Sequence, residues 1–207
     1  MSPSTTRQRE RARDHRASVE AAIYRAIELL LEDRPFRDLT VEDVMAQTGM
    51  GRTAFYRYFP DLETVLLRRL DQVSVELDDA SDRWLHPDAP AAAGLADAAL
   101  GLAEVFRAHA PLLQALADAA ASGELDRAWR ATVDGFVAPA TERIAKLRER
   151  GRCSVDRPDQ TARALVWMTE RYLLESYRED RDFDPELASQ TLAQIWHRSL
   201  FCAQEEI

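Results

Sequence analysis

The sequence predicts an all-α protein of about nine helices, with three short helices around a glycine turn near the N-terminus and a longer helical region behind them. Three observations carry that prediction. Apolar residues recur at spacings of three and four along almost the whole chain, while the strict alternation of a half-buried strand is nearly absent. Capping residues stand where several apolar stripes begin, and Gly or Pro where several end. Apolar residues make up 46% and charged residues 30% of the 207 positions, the balance of an ordinary globular chain rather than a disordered one.

Ser18 is placed to cap a first helix with the stripe Ala22, Ile23, Ala26, Ile27, Leu30 and Leu31, ending at Asp33-Arg34-Pro35. Thr40 opens a second helix, with Asp43 as its capping-box partner and Val41, Val44 and Met45 as its apolar face. Gly49 stops that helix, because the turn needs a residue that tolerates positive φ. A third helix is predicted from about Arg52 to Phe59, stopped by Pro60, and Asp61 caps a long fourth helix through Val65, Leu66, Leu70, Val73 and Leu77. After a loop at His86–Pro90, an apolar helix is predicted over Ala91–Ala108, interrupted by Ala110-Pro111. Glu124–Arg150 reads as one long helix kinked near Gly135 and Pro139. Pro158 starts the next helix, through Tyr177, and Asp184-Pro185-Glu186 opens a last one to about Cys202.

The net charge is −9, which excludes a protein that coats nucleic acid over its whole surface. The charge is uneven. Residues 1–70 carry a net +1 and the remainder −10, and residues 1–16 alone hold Arg7, Arg9, Arg11, Arg13 and Arg16. Residues 1–17 are therefore expected to be a flexible Arg-rich arm. No apolar run approaches the roughly 20 residues of a membrane span, and the charged N-terminus does not read as a signal peptide, so the expected location is the cytoplasm.

The third helix has the most informative faces. At 100° per residue Phe55 and Phe59 share one side and belong in a core, which turns Thr53 and Arg57 outward, with Arg52 and Tyr56 on one flank and Tyr58 on the other. Duplex DNA accounts for those residue types. An Arg grips guanine with two hydrogen bonds, a Thr meets a thymine methyl or a phosphate, and Tyr hydroxyls donate to phosphate oxygens. The N-terminus of the second helix, at Thr40, offers backbone N–H groups to another phosphate.

The stretch Leu39 to Glu63, with Thr40-Val41-Glu42-Asp43-Val44, Thr48-Gly49 and Thr53-Ala54-Phe55-Tyr56-Arg57-Tyr58-Phe59-Pro60, closely resembles the signature of the tetracycline-repressor (TetR) family. That resemblance implies a helix-turn-helix DNA-binding domain over residues 18–62 and a helical ligand-binding and dimerising domain over 63–207. It implies that Thr40, Tyr56 and Tyr58 hold phosphates while Arg52, Thr53 and Arg57 read or flank bases. Three positions depart from the family pattern: Gly51 replaces a Ser-like helix cap, Leu62 replaces a Lys that touches phosphate, and Met45 replaces a small Ala between the second and third helices. The first two remove phosphate partners, and we expect the Arg-rich arm to compensate.

The C-terminal half is similar to one subgroup of that family, the repressors of the ethionamide-activating monooxygenase, at Met168-Thr169-Glu170-Arg171-Tyr172-Leu173 and Gln194-Ile195-Trp196-His197-Arg198-Ser199-Leu200. The residues themselves already place Leu95, Leu102, Phe106, Trp129, Phe136, Trp167, Leu174 and Trp196 on several helices, with Thr169 among them, a composition suited to a mostly apolar ligand site as well as to plain core. The resemblance implies a tunnel lined by Leu102, Phe106, Trp129, Phe136, Val166, Thr169 and Trp196, with Val166 and Thr169 standing where the subgroup carries amides. It further implies a homodimer through the last two helices, a near-palindromic operator, and release by a small, mostly apolar effector.

Rival readings are a helical small-molecule carrier or partner-binding dimer without a DNA switch, and an enzyme. Asp78-Asp79-Ala80-Ser81-Asp82 has the spacing of a magnesium-diphosphate motif, but no second motif accompanies it. The four His show no metal-ligand spacing, and neither a catalytic residue, a metal nor a cofactor is expected. Cys153, in a polar Gly-Arg-Cys-Ser loop, reads as a surface thiol, with redox sensing as the sharper alternative.

Overall fold

The computed structural model of the chain describes residues 3–86, 89–119 and 123–201. These form nine α-helices and no strand: α1 (Pro3–Asp33), α2 (Val41–Thr48), α3 (Arg52–Phe55), α4 (Leu62–Leu85), α5 (Ala93–Asp118), α6 (Glu124–Gly135), α7 (Val137–Glu149), α8 (Pro158–Glu179) and α9 (Pro185–Phe201). A single 3-10 turn, Phe36–Asp38, joins α1 to α2.

The first helix starts fifteen residues earlier than expected. Ser18 lies inside it, not at its cap, and the backbone of the Arg-rich segment is helical from Pro3 onward. Residues 8–17 are mostly strong helix formers, which propagate a helix already stabilised by the packed stripe behind them. Arg16 adds an i,i+4 ion pair to Glu20 at 2.8 Å.

The second helix has the expected capping box. Asp43 N–H donates to Thr40 Oγ1 at 3.2 Å, and Thr40 N–H donates to Asp43 Oδ2 at 2.9 Å. Gly49 holds φ at +69°, the left-handed turn that separates α2 from α3. The regular helix α3 covers four residues instead of eight, with Gly51 at its start making no side-chain cap. Beyond Phe55 the chain turns once more, and Phe59 N–H still reaches the Phe55 carbonyl at 3.0 Å. Asp61 caps α4 by accepting from Thr64 N–H at 2.7 Å.

The later helices refine the prediction. Pro111 removes a backbone donor, and α5 runs through the interruption with a kink at His109 (φ −119°, ψ 17°). The expected single helix over 124–150 is two helices, divided at Phe136. Gly94 lets α5 pass beneath the end of α4; a Cβ there would lie 2.6 Å from the Arg83 carbonyl oxygen. Cys153 is buried, with Val155, against Ile144 and Leu147, which corrects its reading as a surface thiol. Cys202 lies outside the described residues.

One core runs from Ile23, Ile27, Val44, Met45, Phe55 and Phe59 through Val65, Leu66 and Leu70 of α4 to Phe106, Trp129 and Leu173. A second core joins Trp84, Leu95, Ile144, Leu147, Leu165 and Trp196. Helix α4 enters both. Its first turns seal the small N-terminal unit, and its last turn carries Trp84 into the second core.

Candidate functional site

The N-terminal ridge stands on two phenyl anchors. Phe55 and Phe59 are 0% and 1% exposed, and Tyr24 of α1 meets Phe59 edge-on at 5.8 Å between ring centroids. With those rings fixed inward, Arg52, Thr53, Tyr56 and Arg57 are exposed on one continuous surface. Thr40 lies exposed at the start of α2. Tyr58 is half-buried, with the Arg16 guanidinium 5.8 Å over its ring.

Two of these residues are engaged with neighbours, Thr40 with the expected Asp43 and Arg52 with partners that sequence reasoning did not identify. Arg52 is ion-paired with Glu42 of α2, and its Nη2 donates to the Tyr56 hydroxyl at 3.2 Å. The Tyr56 hydroxyl and the Glu42 carboxylate both favour the charged guanidinium, whose pKa is raised. Thr40 Oγ1 donates to Asp43 Oδ2 at 2.7 Å, so its hydroxyl proton is held inside the capping box. The hydrogen bonds from Thr40 keep the Asp43 carboxyl below its ordinary range. The surface is thus held in a defined shape by local charge pairs on its rim.

Deeper in the molecule a narrow cavity of about 100 Å³ lies at the seam between the two cores. Leu102, Phe106, Trp129, Phe136, Val166, Thr169 and Trp196 all line it. Leu95 joins them, whereas Trp167 and Leu174 do not. Trp167 bonds outward to Asp134 at 3.0 Å, and Leu174 is fully buried core. Sequence reasoning missed one whole wall: Leu77, Ser81, Trp84 and Leu85, all from α4. Ser81 belongs to the acidic stretch that has the spacing of a magnesium-diphosphate motif without its second half; it and Ala80 are buried.

The cavity wall is apolar apart from a few hydrogen-bonded groups. Thr169 Oγ1 donates to the Leu165 carbonyl at 2.8 Å and accepts from Trp196 Nε1 at 2.9 Å. Trp84 Nε1 donates to the Ala91 carbonyl at 3.0 Å. Trp129 Nε1 donates to Glu170 Oε1 at 3.0 Å. Glu170 was not among the expected liners. Its signal was present in the sequence: Val166, Leu173 and Leu174 surround it at i−4, i+3 and i+4, which puts a carboxylate on an apolar helix face. Burial raises its pKa, against the opposing hydrogen bond from Trp129 and the charges of Arg171, Arg130 and Arg178.

On the outer surface, α9 exposes Leu187 and Ile195. Trp167, Met168 and Tyr172 of α8 are partly covered. No helix among the described residues is long and apolar enough to cross a membrane.

Comparison with known proteins supports both halves. Residues 23–68 match the family model described as bacterial regulatory proteins, tetR family, and residues 95–202 match that of the C-terminal domain of the transcriptional regulator EthR. The chain is 32% identical to the HTH-type transcriptional regulator EthR of Mycobacterium tuberculosis (strain ATCC 25618 / H37Rv) over 203 residues, 96% of this chain and 94% of that one. It is 29% identical to EthR of Mycolicibacterium smegmatis over 202 residues, 95% and 93% of the two chains. Among solved structures, NalD, the secondary repressor of the MexAB-OprM multidrug efflux pump in Pseudomonas aeruginosa, superimposes with a TM-score of 0.73 at 20% identity, covering 91% of this chain and 98% of that one. FadR from Bacillus subtilis, in complex with stearoyl-CoA, gives a TM-score of 0.71 at 14% identity, covering 86% and 98%. At these identities the two structures establish the shared fold.

Proposed function

This chain belongs to the TetR family of bacterial regulators, with a C-terminal domain of the EthR type, and from that premise we propose a repressor that reads a near-palindromic operator as a dimer and releases it when a small, mostly apolar effector fills the internal cavity. It is a helix-turn-helix transcriptional regulator, not an enzyme. The observation that carries the proposal is the exposed ridge of Arg52, Thr53, Tyr56 and Arg57 on two fully buried phenyl anchors.

In this reading Arg52, Thr53 and Arg57 meet base edges, while Thr40, Tyr56 and Tyr58 position phosphates. The Arg52–Glu42 pair opens when a guanine or phosphate replaces the carboxylate. Residues 1–17 act as the basic arm, carried on the extended α1, ahead of a DNA-binding domain over 18–62 and an effector and dimer domain over 63–207. The exposed Leu187 and Ile195 favour α8 and α9 as the dimer seam. A dimer of this kind sets its recognition helices roughly 34–36 Å apart, one turn of the duplex.

Helix α4 supplies the coupling. It seals the DNA-binding core with Val65 and Leu66 and walls the cavity with Leu77, Ser81, Trp84 and Leu85. An effector that pushes on the second group tilts the first, and the ridge spacing changes. Effector and operator then oppose each other reciprocally, by about 1–3 kcal/mol in typical cases. The test is a gel shift on fragments of the source genome at increasing salt. A sequence-specific complex supports the reading; weak, sequence-independent binding alone would favour a carrier.

A further inference from the structure

We propose that the cavity is selective for a lipophilic cation, an apolar body carrying one protonated amine, and that Glu170 is the residue that selects it. The proposal rests on the reading of the cavity as the effector site.

Glu170 lines the cavity and is only 4% exposed. Its Oε1 accepts from Trp129 Nε1, but its Oε2 is buried with no hydrogen-bond partner among the described residues. Arg171 Nε stands 3.8 Å from Oε2, beyond hydrogen-bond reach, on a side chain that is 55% exposed. The indole donors around the cavity are already committed: Trp84 to a carbonyl, Trp196 to Thr169, Trp129 to Glu170 itself. Thr169 has likewise given its proton to the Leu165 carbonyl. A ligand therefore meets indole and Thr169 donors that are already committed, the Ser81 hydroxyl, and a carboxylate whose buried Oε2 accepts no hydrogen bond.

The physical consequence is a complementary pair of costs. A buried carboxylate oxygen without a partner is unfavourable, and so is an ammonium group carried into an apolar cavity. Bringing the two together removes both, and the bond formed is charge-assisted. The faces of Trp129 and Phe106, packed edge-on at 6.2 Å between centroids, offer the cation further attraction. Burial raises the Glu170 pKa, and an ammonium beside it would favour the carboxylate. A neutral alcohol of the same shape gains the apolar contacts and at most a neutral hydrogen bond to Oε2, roughly half as strong as the charge-assisted one.

Isothermal titration of the full-length protein with phenylbutylamine and with the neutral phenylbutanol tests this. Wild type is expected to bind the amine about tenfold or more tightly than the alcohol, the scale of one charge-assisted hydrogen bond. Glu170→Gln, which keeps an acceptor for Trp129, is expected to abolish that preference by weakening the amine about tenfold. Glu170→Leu checks the direction, since it should weaken the amine more than the alcohol even though it also removes the acceptor of Trp129; melting curves verify that both variants fold. Equal binding of amine and alcohol by wild type, or a preference that survives in both variants, overturns the proposal while leaving the effector site intact. Binding of neither probe overturns the effector site, and the selectivity with it.

Discussion

Arg69 Nε donates to Glu28 Oε1 over 2.8 Å, tying α4 to α1 across 41 positions of sequence. The same guanidinium reaches His109 Nδ1 at 3.2 Å, and His109 Nε2 lies 3.1 Å from Glu76 Oε2. The kink of α5 is thus latched to both helices that carry the DNA-binding unit.

That latch predicts a pH dependence. Burial alone would lower the His109 pKa, and so would the charge of Arg69. The Glu28 carboxylate 3.8 Å away and the hydrogen bond to Glu76 outweigh both, so the imidazole titrates above its ordinary 6.5. Burial opposes ionisation of Glu28, but bonds from His109 and Arg69 prevail and hold it below 4.5. A raised imidazole contributes its full stability below the unfolded value and loses it as pH rises through the folded value; the depressed carboxylate contributes above its unfolded value and fades as pH falls through its folded one. The melting temperature of wild type relative to His109→Gln should therefore be highest between the two ordinary values and should fall as pH is raised through the folded imidazole value, above 6.5. An offset that stays constant with pH contradicts the latch.

The Arg52–Glu42 pair restrains a residue that we propose meets a base edge. Glu42→Gln is expected to tighten operator binding a few-fold, with little change in melting temperature because exposed pairs contribute little. Fluorescence anisotropy on a labelled operator measures it. Weaker binding would place Glu42 among the groups that help hold DNA.

The basic arm lies on a helix rather than a loose tail. Deletion of residues 1–15 removes Arg7, Arg9, Arg11 and Arg13 while keeping Arg16 beside Tyr58. Each arginine that neutralises a phosphate contributes roughly 0.9 to the slope of log affinity against log salt. The truncated protein should show a flatter slope, and an identical slope would take the arm off the DNA.

Filling the cavity should disconnect the effector. Ala98→Trp projects an indole from α5 into the space, at an overpacking cost of about 1–3 kcal/mol. The variant is expected to lose the thermal upshift that phenylbutylamine or phenylbutanol gives wild type. An upshift of unchanged size would put the binding site elsewhere.

Much of this was legible because it rests on local chemistry. Thr40, Asp43, Gly49 and Asp61 act through neighbours within a few residues, so caps and the turn could be read directly. The Phe55 and Phe59 anchors followed from helical period, although only one regular turn of α3 forms, since Gly51 provides no cap and Pro60 follows closely. The cavity liners came from resemblance in α5 to α9. What stayed hidden depends on distance or on degree. Ser18 has the chemistry of a cap, but continued helix formers upstream override it. Gly135 and Pro139 announced an interruption, but not that it would divide the helix in two at Phe136 instead of only kinking it. The pairing of Arg52 with Glu42, and the α4 wall of the cavity, exist only once helices distant in sequence are packed.

The central claim is that the α2–α3 surface reads sequence in duplex DNA, and selection of bound duplexes from a random pool measures that most directly. Wild type should enrich a near-palindromic motif with two related half-sites. The double variant Arg52→Ala, Arg57→Ala, checked for an unchanged melting temperature, should enrich none. Failure of wild type to enrich any motif, or recovery of the same motif by the double variant, would contradict the account.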